Sequence, residues 1–335
     1  MEITEKLKQA NLRGRGGAGF PVWQKWRMVK DAVSRDGRKF IVCNVSEGEP
    51  AVFKDKYILK HWPEAVVGGI ELAMQAVGAL KAYFYLRHDY YDKFKGILAR
   101  VIDNNQIEIF QEPCGYLGGE ETTSLEAIQG TLDKKIRSTG GNICEPRIKP
   151  PFPPQMGLFG CPTLINNLET FYYAYKISKN EYDHHRFYCL SGDVKNPGVF
   201  EYPIEWPISR VLKESGNYPQ EEFFVQAGGG ASGTILLQNE LNDPLNGAGA
   251  IIVHLKSKTD VQKLAKQWLD FFYRENCGKC APCREGVYRL REIFKGEVDN
   301  AKAKDIVNLL AGASFCPFGK GAANALNSLI EKFQL

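Results

Sequence analysis

With 335 residues, 44% of them hydrophobic and 24% charged, the chain has an ordinary globular composition. It is longer than one hydrophobic core usually supports, so two or three domains are expected. A net charge of +4 with dispersed Lys and Arg argues against nucleic-acid binding, and no run of about 18 uninterrupted apolar residues exists to span a membrane.

The opening MEITEKLKQA has neither a basic start nor an apolar core, so a cytoplasmic location is expected rather than secretion. Ile3, Leu7 and Ala10 fall at helical spacing. Next comes RGRGGAGFP (13–21), in which Gly14-x-Gly16-x-x-Gly19 has the spacing of a dinucleotide-binding turn. Such a turn follows an apolar strand, and here the preceding segment is polar and helix-like. The usual turn is therefore disfavoured. Two readings stay open: a flexible surface loop, or a side-chain-poor loop whose amides and neighbouring Arg13 and Arg15 approach an anion.

KFIVCN (39–44) and KAYFYLR (81–87) read as short apolar strands, with the helix-like EAVVGGIELAMQAVGA between them. The first strand runs into NVSEGEP, polar groups at the strand end where α/β sheets bind ligands. GYLGGEETTSLEAI (115–128) sets a Gly-Gly pair and two carboxylates ahead of a helix. RIKPPFPPQMGLFGCPTLINNLET (147–170) is stiffened by prolines and carries the pair Asn166–Asn167. Taken singly, Glu120 and Glu121 read as a charge pair at a helix N-terminus and the Asn pair as a cap; together the four loops suggest a large polar ligand. From about 186 to 245 the pattern is short strands around one helix, a small β-rich insertion. Its GGGASG (228–233) has nothing nearby to make it a phosphate site.

Nine cysteines remain to be explained, an odd number that fits a disulfide framework poorly. Cys43, Cys114, Cys144, Cys161 and Cys189 are scattered and read as packing residues. Cys277, Cys280 and Cys283 form C-x2-C-x2-C, and Cys316 follows in SFCPFG. That pattern echoes [4Fe–4S] ferredoxins, whereas structural zinc more often uses two separated C-x2-C knuckles; a zinc site with a spare cysteine is the alternative. Four amphipathic helical patterns flank the cysteines and predict a small bundle with the thiols at inter-helix turns.

The motifs LRGRGGAGFP…KW, CN-x-x-EGEP-x-x-FKD, GGEET, KPPFP…GCPT-x-x-NN-x-ET and CGKCAPCREG…FCPFG stand in one order along the chain. Their combination resembles the flavoprotein (51-kDa-type) subunit of respiratory complex I, a family present also in NAD-linked hydrogenases and formate dehydrogenases. The resemblance covers nearly the whole chain. It implies an α/β fold in three parts: a Rossmann-like FMN/NADH domain over 1–182, a ubiquitin-like β-grasp insertion over 183–248, and a helical bundle with a [4Fe–4S] cluster over 249–335.

By the same resemblance, FMN is contacted by Gly14, Arg15, Gly16, Gly17, Lys25, Asn44, Ser46, Tyr116, Gly119, Glu120, Ile165, Asn166, Asn167 and Thr170. NADH is contacted by Phe20, Met28, Glu47, Glu49, Glu121, Lys149 and Phe152, and the cluster is held by Cys277, Cys280, Cys283 and Cys316. NADH yields an electron pair as hydride while a cluster accepts electrons one at a time, so a flavin between them converts one regime to the other. No general acid, base or nucleophile is required. The implied activity is NADH dehydrogenase within a larger complex. A [2Fe–2S] thioredoxin-like subunit and a larger iron–sulfur subunit are the implied partners.

Three positions depart from the family pattern: Ser46 stands where Asp is usual, Gly118 where Cys is common, and Met28 where an adenine-contacting aromatic is often found. Ser46 and Met28 support an alternative reading, a flavin and iron–sulfur relay that no longer uses NAD(H) efficiently. A cofactor-free or zinc-containing assembly subunit is the third.

Overall fold

The structure is a computed structural model that describes residues 1–132, 135–136, 142–144, 146, 151–296 and 298–334. The chain divides into two compact units, one of residues 1–48 with 53–184, the other of 49–52 with 185–335.

The first unit runs α1 (Ile3–Gln9), α2 (Val22–Asp31), β1 (Phe40–Val45), α3 (Lys54–His61), α4 (Pro63–Val77), β2 (Lys81–Leu86), α5 (His88–Val101) and β3 (Ile107–Gln111). It continues with α6 (Glu121–Gln129), β4 (Lys135–Ile136), β5 (Asn142–Ile143), β6 (Thr163–Asn167) and α7 (Leu168–Ser178). The expected strands at 39–44 and 81–87 are thus β1 and β2, and the helix expected between them is α4. α4 starts on Pro63, which needs no amide partner there, and stops at Gly78 in the left-handed conformation (φ 71°). Its central Gly69 lets the backbone of α7 approach: a Cβ there would overlap the Phe171 carbonyl.

Four strands form a parallel sheet in the order β3-β2-β1-β6. The chain steps outward from β1 to β2 and β3, then returns to the other flank of β1 as β6. Sheets wound this way leave a crevice where the order reverses, outside the carboxyl ends of β1 and β6. Phe40, Val42, Tyr83, Tyr85 and Ile165 fill the core on one face with Leu125 and Leu158.

The second unit contains β7 (His185–Gly192), β8 (Gly198–Pro203), α8 (Ile208–Glu214), β9 (Phe223–Gly228), β10 (Thr234–Leu237) and β11 (Ala250–Leu255). Then follow α9 (Val261–Glu275), α10 (Ala281–Ile293), α11 (Asn300–Ala313) and α12 (Pro317–Phe333). The strands form a mixed sheet, β10-β9-β11-β7-β8, in which β11 is parallel to β7 and antiparallel to β9. Val211 and Leu212 of α8 pack on Tyr188, Leu190, Val225, Ile251 and Val253, the grasp of one helix by a sheet that the sequence suggested. The sheet extends to residue 255, past the division expected at 248, because β11 is an inner strand.

Among the described residues, no helix is long and apolar enough to cross a membrane.

Candidate cofactor sites

The last residues of β1 and β6 change character from apolar to polar: FIVC is followed by Asn44, and TLI by Asn166 and Asn167. Their registry sets Asn44 beside Asn167 at the crevice. Asn44 donates from Nδ2 to the Gly119 carbonyl (2.8 Å), and its Oδ1 accepts from the Ser46 amide (3.0 Å). Asn167 caps α7, accepting from the Glu169 amide at 3.1 Å. Asn166 is buried, and with its amide turned to satisfy both neighbours its oxygen accepts from Trp26 Nε1 (2.9 Å).

The glycine-rich loop arrives from the N-terminal side. Arg13 and Pro21 pair as an isolated bridge, and the Gly14 amide donates to the Phe20 carbonyl (2.9 Å), closing the loop at its base. The Arg15 amide donates to Thr170 Oγ1 on α7 (3.0 Å), and a Cβ on Gly16 would lie 3.4 Å from Asn167 Cβ. Gly17 has φ 109°, which side-chain-bearing residues rarely adopt. The loop is therefore folded onto the crevice with Gly16 and Gly17 exposed.

The third loop also converges. A Cβ on Gly119 would meet the Ser46 carbonyl at 2.8 Å, and one on Gly48 would meet Tyr116 at 3.1 Å. Glu120 caps α6, accepting from the amides of Thr122 (2.9 Å) and Thr123 (3.1 Å). Glu121 pairs with Lys25 at 2.5 Å. At Gly118 a Cβ would overlap the buried Glu112 carboxylate, which is why this chain carries glycine there.

Beneath the crevice lies a charge cluster that motif reading left unassigned. Lys54 is 2% exposed and reaches Asp55 (2.7 Å), Glu169 (3.0 Å) and Asn167 Oδ1 (3.2 Å), while Arg15 approaches Glu169 at 3.9 Å. Asn167 Nδ2 donates to Asp55 (2.6 Å). Glu47 accepts from the Asp55 amide (2.9 Å) and Tyr90 Oη (2.9 Å). Burial, reinforced by the Asp55 carboxylate, pushes the Glu47 carboxyl up to about 7. Burial would lower Lys54, but Asp55, Glu169 and Glu47 outweigh it and hold the ammonium charged. Lys54 and Asp55 were visible only as the KD of FKD and Glu169 as the E of ET. Nothing in spacing marks Lys54 and Glu169, which are far apart in sequence, as partners.

Not every expected residue converges. The Ile165 side chain lies in the core rather than toward the crevice. Phe20, Met28 and Phe152 are exposed apolar side chains, and Lys149 lies outside the described residues. Glu49 belongs with the second unit. Two of the five scattered cysteines are not simple packing residues: Cys114 and Cys144 form a disulfide with Cα atoms 6.3 Å apart, a tertiary proximity that their separation of 30 residues conceals. Cys43, Cys161 and Cys189 are free and buried.

In the second unit, Cys277 lies in the turn between α9 and α10, Cys280 is the N-cap of α10, Cys283 sits in its first turn, and Cys316 is the N-cap of α12. Cys283 thus belongs to a helix rather than a connecting turn. Burial, then the thiols of Cys280, Cys316 and Cys277, raise the Cys283 thiol to about 12. Among the described residues no three His, Cys, Asp or Glu side chains stand in metal-binding geometry, so the four cysteines are neighbours without forming a closed ligand set. An all-thiol set of this kind suits an iron–sulfur cluster, whose charge favours the thiolate form. The crevice suits a planar anionic cofactor, with amide side chains at the strand ends and a side-chain-free loop above them.

A cofactor crevice at a sheet switch point and a four-thiol bundle on one chain define an electron-transfer protein of the iron–sulfur flavoprotein class. Residues 7–176 match the family profile of the Nuo51 FMN-binding domain, and residues 263–335 match the NADH-ubiquinone oxidoreductase-F iron–sulfur binding region. The F 2 subunit of the NADH-quinone oxidoreductase of Rhizobium meliloti (strain 1021) is 32% identical, over 99% of this chain and 87% of the relative. The F subunit of the NADH-quinone oxidoreductase of Aquifex aeolicus (strain VF5) is 31% identical, over 99% and 84%. A chain of an NAD+-reducing [NiFe]-hydrogenase, solved in the H2-reduced state, superposes with a TM-score of 0.87 at 30% identity, over 99% of this chain and 61% of its own length. The chain belongs to the NADH-quinone oxidoreductase (complex I) flavoprotein family, and its cofactors are FMN and a [4Fe–4S] cluster.

Proposed function

We propose that this chain is the NADH-oxidising, or NAD+-reducing, flavoprotein subunit of a multi-subunit oxidoreductase. The observation that carries the reading is the meeting of the 13–21 loop, Asn44, Ser46, Gly119, Asn166 and Asn167 at the sheet's switch point, on a chain that also carries the C-x2-C-x2-C run and Cys316. When bound, FMN supplies the conversion between the electron pair of NADH and the single electrons of the cluster.

The protein's contribution is binding and electrostatics. Gly16 and Gly17 offer backbone to the flavin phosphate, while the amides of Gly14 and Arg15 hold the loop in place for it through Phe20 and Thr170. Asn44, Ser46, Asn166, Asn167 and Thr170 orient polar edges, with Lys25, Tyr116, Gly119 and Glu120 completing the pocket and the core residue Ile165 supporting it from beneath. Lys54 and Arg15 offset the carboxylates of Asp55 and Glu169 beneath it. Phe20, Met28, Glu47, Glu49, Glu121, Lys149 and Phe152 are the proposed nucleotide contacts. Cys277, Cys280, Cys283 and Cys316 are the cluster ligands.

The three-part division into FMN/NADH domain, β-grasp insertion and cluster bundle follows the same reading. So do a cytoplasmic location and partnership with a [2Fe–2S] thioredoxin-like subunit and a larger iron–sulfur subunit. The exposed Met28, in place of a stacking aromatic, favours the alternative of a relay that has lost efficient NAD(H) use. An anaerobic optical titration with NADH, on protein whose FMN and iron are quantified, separates the two. Stoichiometric bleaching of the flavin band is expected; bleaching by dithionite but not NADH would establish the relay.

A further inference from the structure

We propose that the glycine-rich loop Gly228–Gly233 is a clamp for the carboxylate of Glu49, and that Ser232 is a positioning residue joining the 49–50 segment to the helix headed by Cys316, all within the second unit. The inference rests on the functional reading above for what the turn does, but not for the clamp itself.

One oxygen of Glu49 accepts three hydrogen bonds, from the amides of Ala231 and Ser232 and from Ser232 Oγ, each at 3.0 Å. Successive amides aimed at one point form a nest for an anion. The next residue is held as well, since the Gly230 amide donates to the Pro50 carbonyl at 2.8 Å. On the loop's other side, Asn324 Nδ2 donates to the Ser232 carbonyl and to Thr234 Oγ1, both at 3.0 Å. Asn324 lies on α12, whose N-cap is Cys316. Ser232 thus uses its amide and hydroxyl on Glu49 and its carbonyl on the cluster helix.

The glycines support this assignment better than a hairpin requirement does. Gly228 has φ 110° and needs glycine for its backbone angle. Gly229 and Gly230 are not among the positive-φ glycines. A Cβ on Gly229 would overlap the Glu49 carboxylate, and one on Gly230 would meet the Pro50 carbonyl at 2.5 Å. These two glycines make room for the 49–50 turn, which accounts for a run that has no phosphate-binding context.

Glu49 directly follows Gly48, which packs on Tyr116, and stands two residues after Glu47. Releasing its carboxylate frees one end of the segment proposed to face the nicotinamide nucleotide.

The test compares the full-length holoprotein with Glu49→Ala, Gly229→Ala, their double variant, Ser232→Ala and Ser232→Thr. It reads hydrogen exchange at the Ala231, Ser232 and Val52 amides, the flavin midpoint potential, and KM against kcat for NADH with an artificial acceptor. Glu49→Ala and Gly229→Ala are each expected to speed exchange at Ala231 and Ser232 by about tenfold and to raise the KM for NADH with kcat little changed. The double variant should be no worse than either single one, and Ser232→Thr should match wild type where Ser232→Ala does not. Unchanged exchange in Glu49→Ala, which leaves the loop untouched, or additive effects in the double variant, would overturn the clamp. If NADH reduces no form of the protein, the functional reading fails while exchange and flavin potential still decide the clamp.

Discussion

Replacing Glu47 by Gln tests the electrostatics beneath the crevice directly. The carboxyl is 6% exposed and is lifted from its ordinary 4.5 to about 7 by burial and by Asp55. Between these two values the folded protein holds a proton that the unfolded chain has released. Wild-type stability is therefore greatest below the lower value, falls as pH rises, and levels off above about 7. At about 1.4 kcal/mol per pH unit the full loss is ~3 kcal/mol. Gln is neutral throughout and can keep the bond from the Asp55 amide (2.9 Å), while Tyr90 Oη (2.9 Å) can rotate to accept from the new amide.

The variant is thus expected to gain on wild type by ~3 kcal/mol between pH 4.5 and pH 8, roughly 6–12 °C in unfolding temperature for a unit of this size. Thermal unfolding followed by release of flavin fluorescence, at half-unit steps of pH on both proteins, measures the difference with other titrating groups cancelled. Parallel profiles would refute the reasoning, and a wild type that gains on the variant with rising pH would reverse its sign.

Ser46→Asp adds a carboxylate to the proposed flavin site, where it would disfavour anionic reduced forms. The midpoint potential should fall by tens of millivolts in spectroelectrochemical titration, about 30 mV for each ~1.4 kcal/mol. Gly118→Cys restores the residue common in the family but drives a Cβ into the Glu112 carboxylate; denaturant unfolding should show a loss of ~1–3 kcal/mol. Lys54→Met leaves Asp55 and Glu169 without their nearest cation, costing ~3–5 kcal/mol by the same measurement. Cys316→Ser should purify with less iron and without the wild-type cluster spectrum, while retaining FMN, because its helix belongs to the other unit.

Features carried by local pattern were readable from the sequence. β1, β2 and α4 follow from apolar runs and period, and the four thiols from their spacing. Features carried by tertiary proximity were not. The adjacent Lys54 and Asp55 give no sign in the sequence of a buried cluster, which forms when α7 brings Glu169 to them. Cys114 and Cys144 read as separate packing residues until the fold brings them together. The bland reading of Glu120 as a helix-terminal charge holds in the structure, since its carboxylate is the N-cap of α6. The pattern of short strands over 186–245 stops short of β11, because strand order in space does not follow strand order in sequence.

The displaced glycine loop follows from how the space after β1 is used. In a usual dinucleotide-binding unit the turn after the first strand supplies the phosphate-binding glycines. Here that turn is Ser46–Glu47–Gly48, and its Glu47 is committed to the Asp55 amide and Tyr90. That turn is occupied by its own hydrogen bonds, and on the proposed reading the phosphate-facing glycines come from another segment. The 13–21 loop precedes β1, is closed on itself at Arg13 and Pro21, and is fixed to α7 through Thr170. Its approach over β6 leaves the mouth of β1 to the acidic turn. On the proposed reading, backbone from the 13–21 loop and the acidic turn after β1 serve different parts of one cofactor, the phosphate and the redox-active ring.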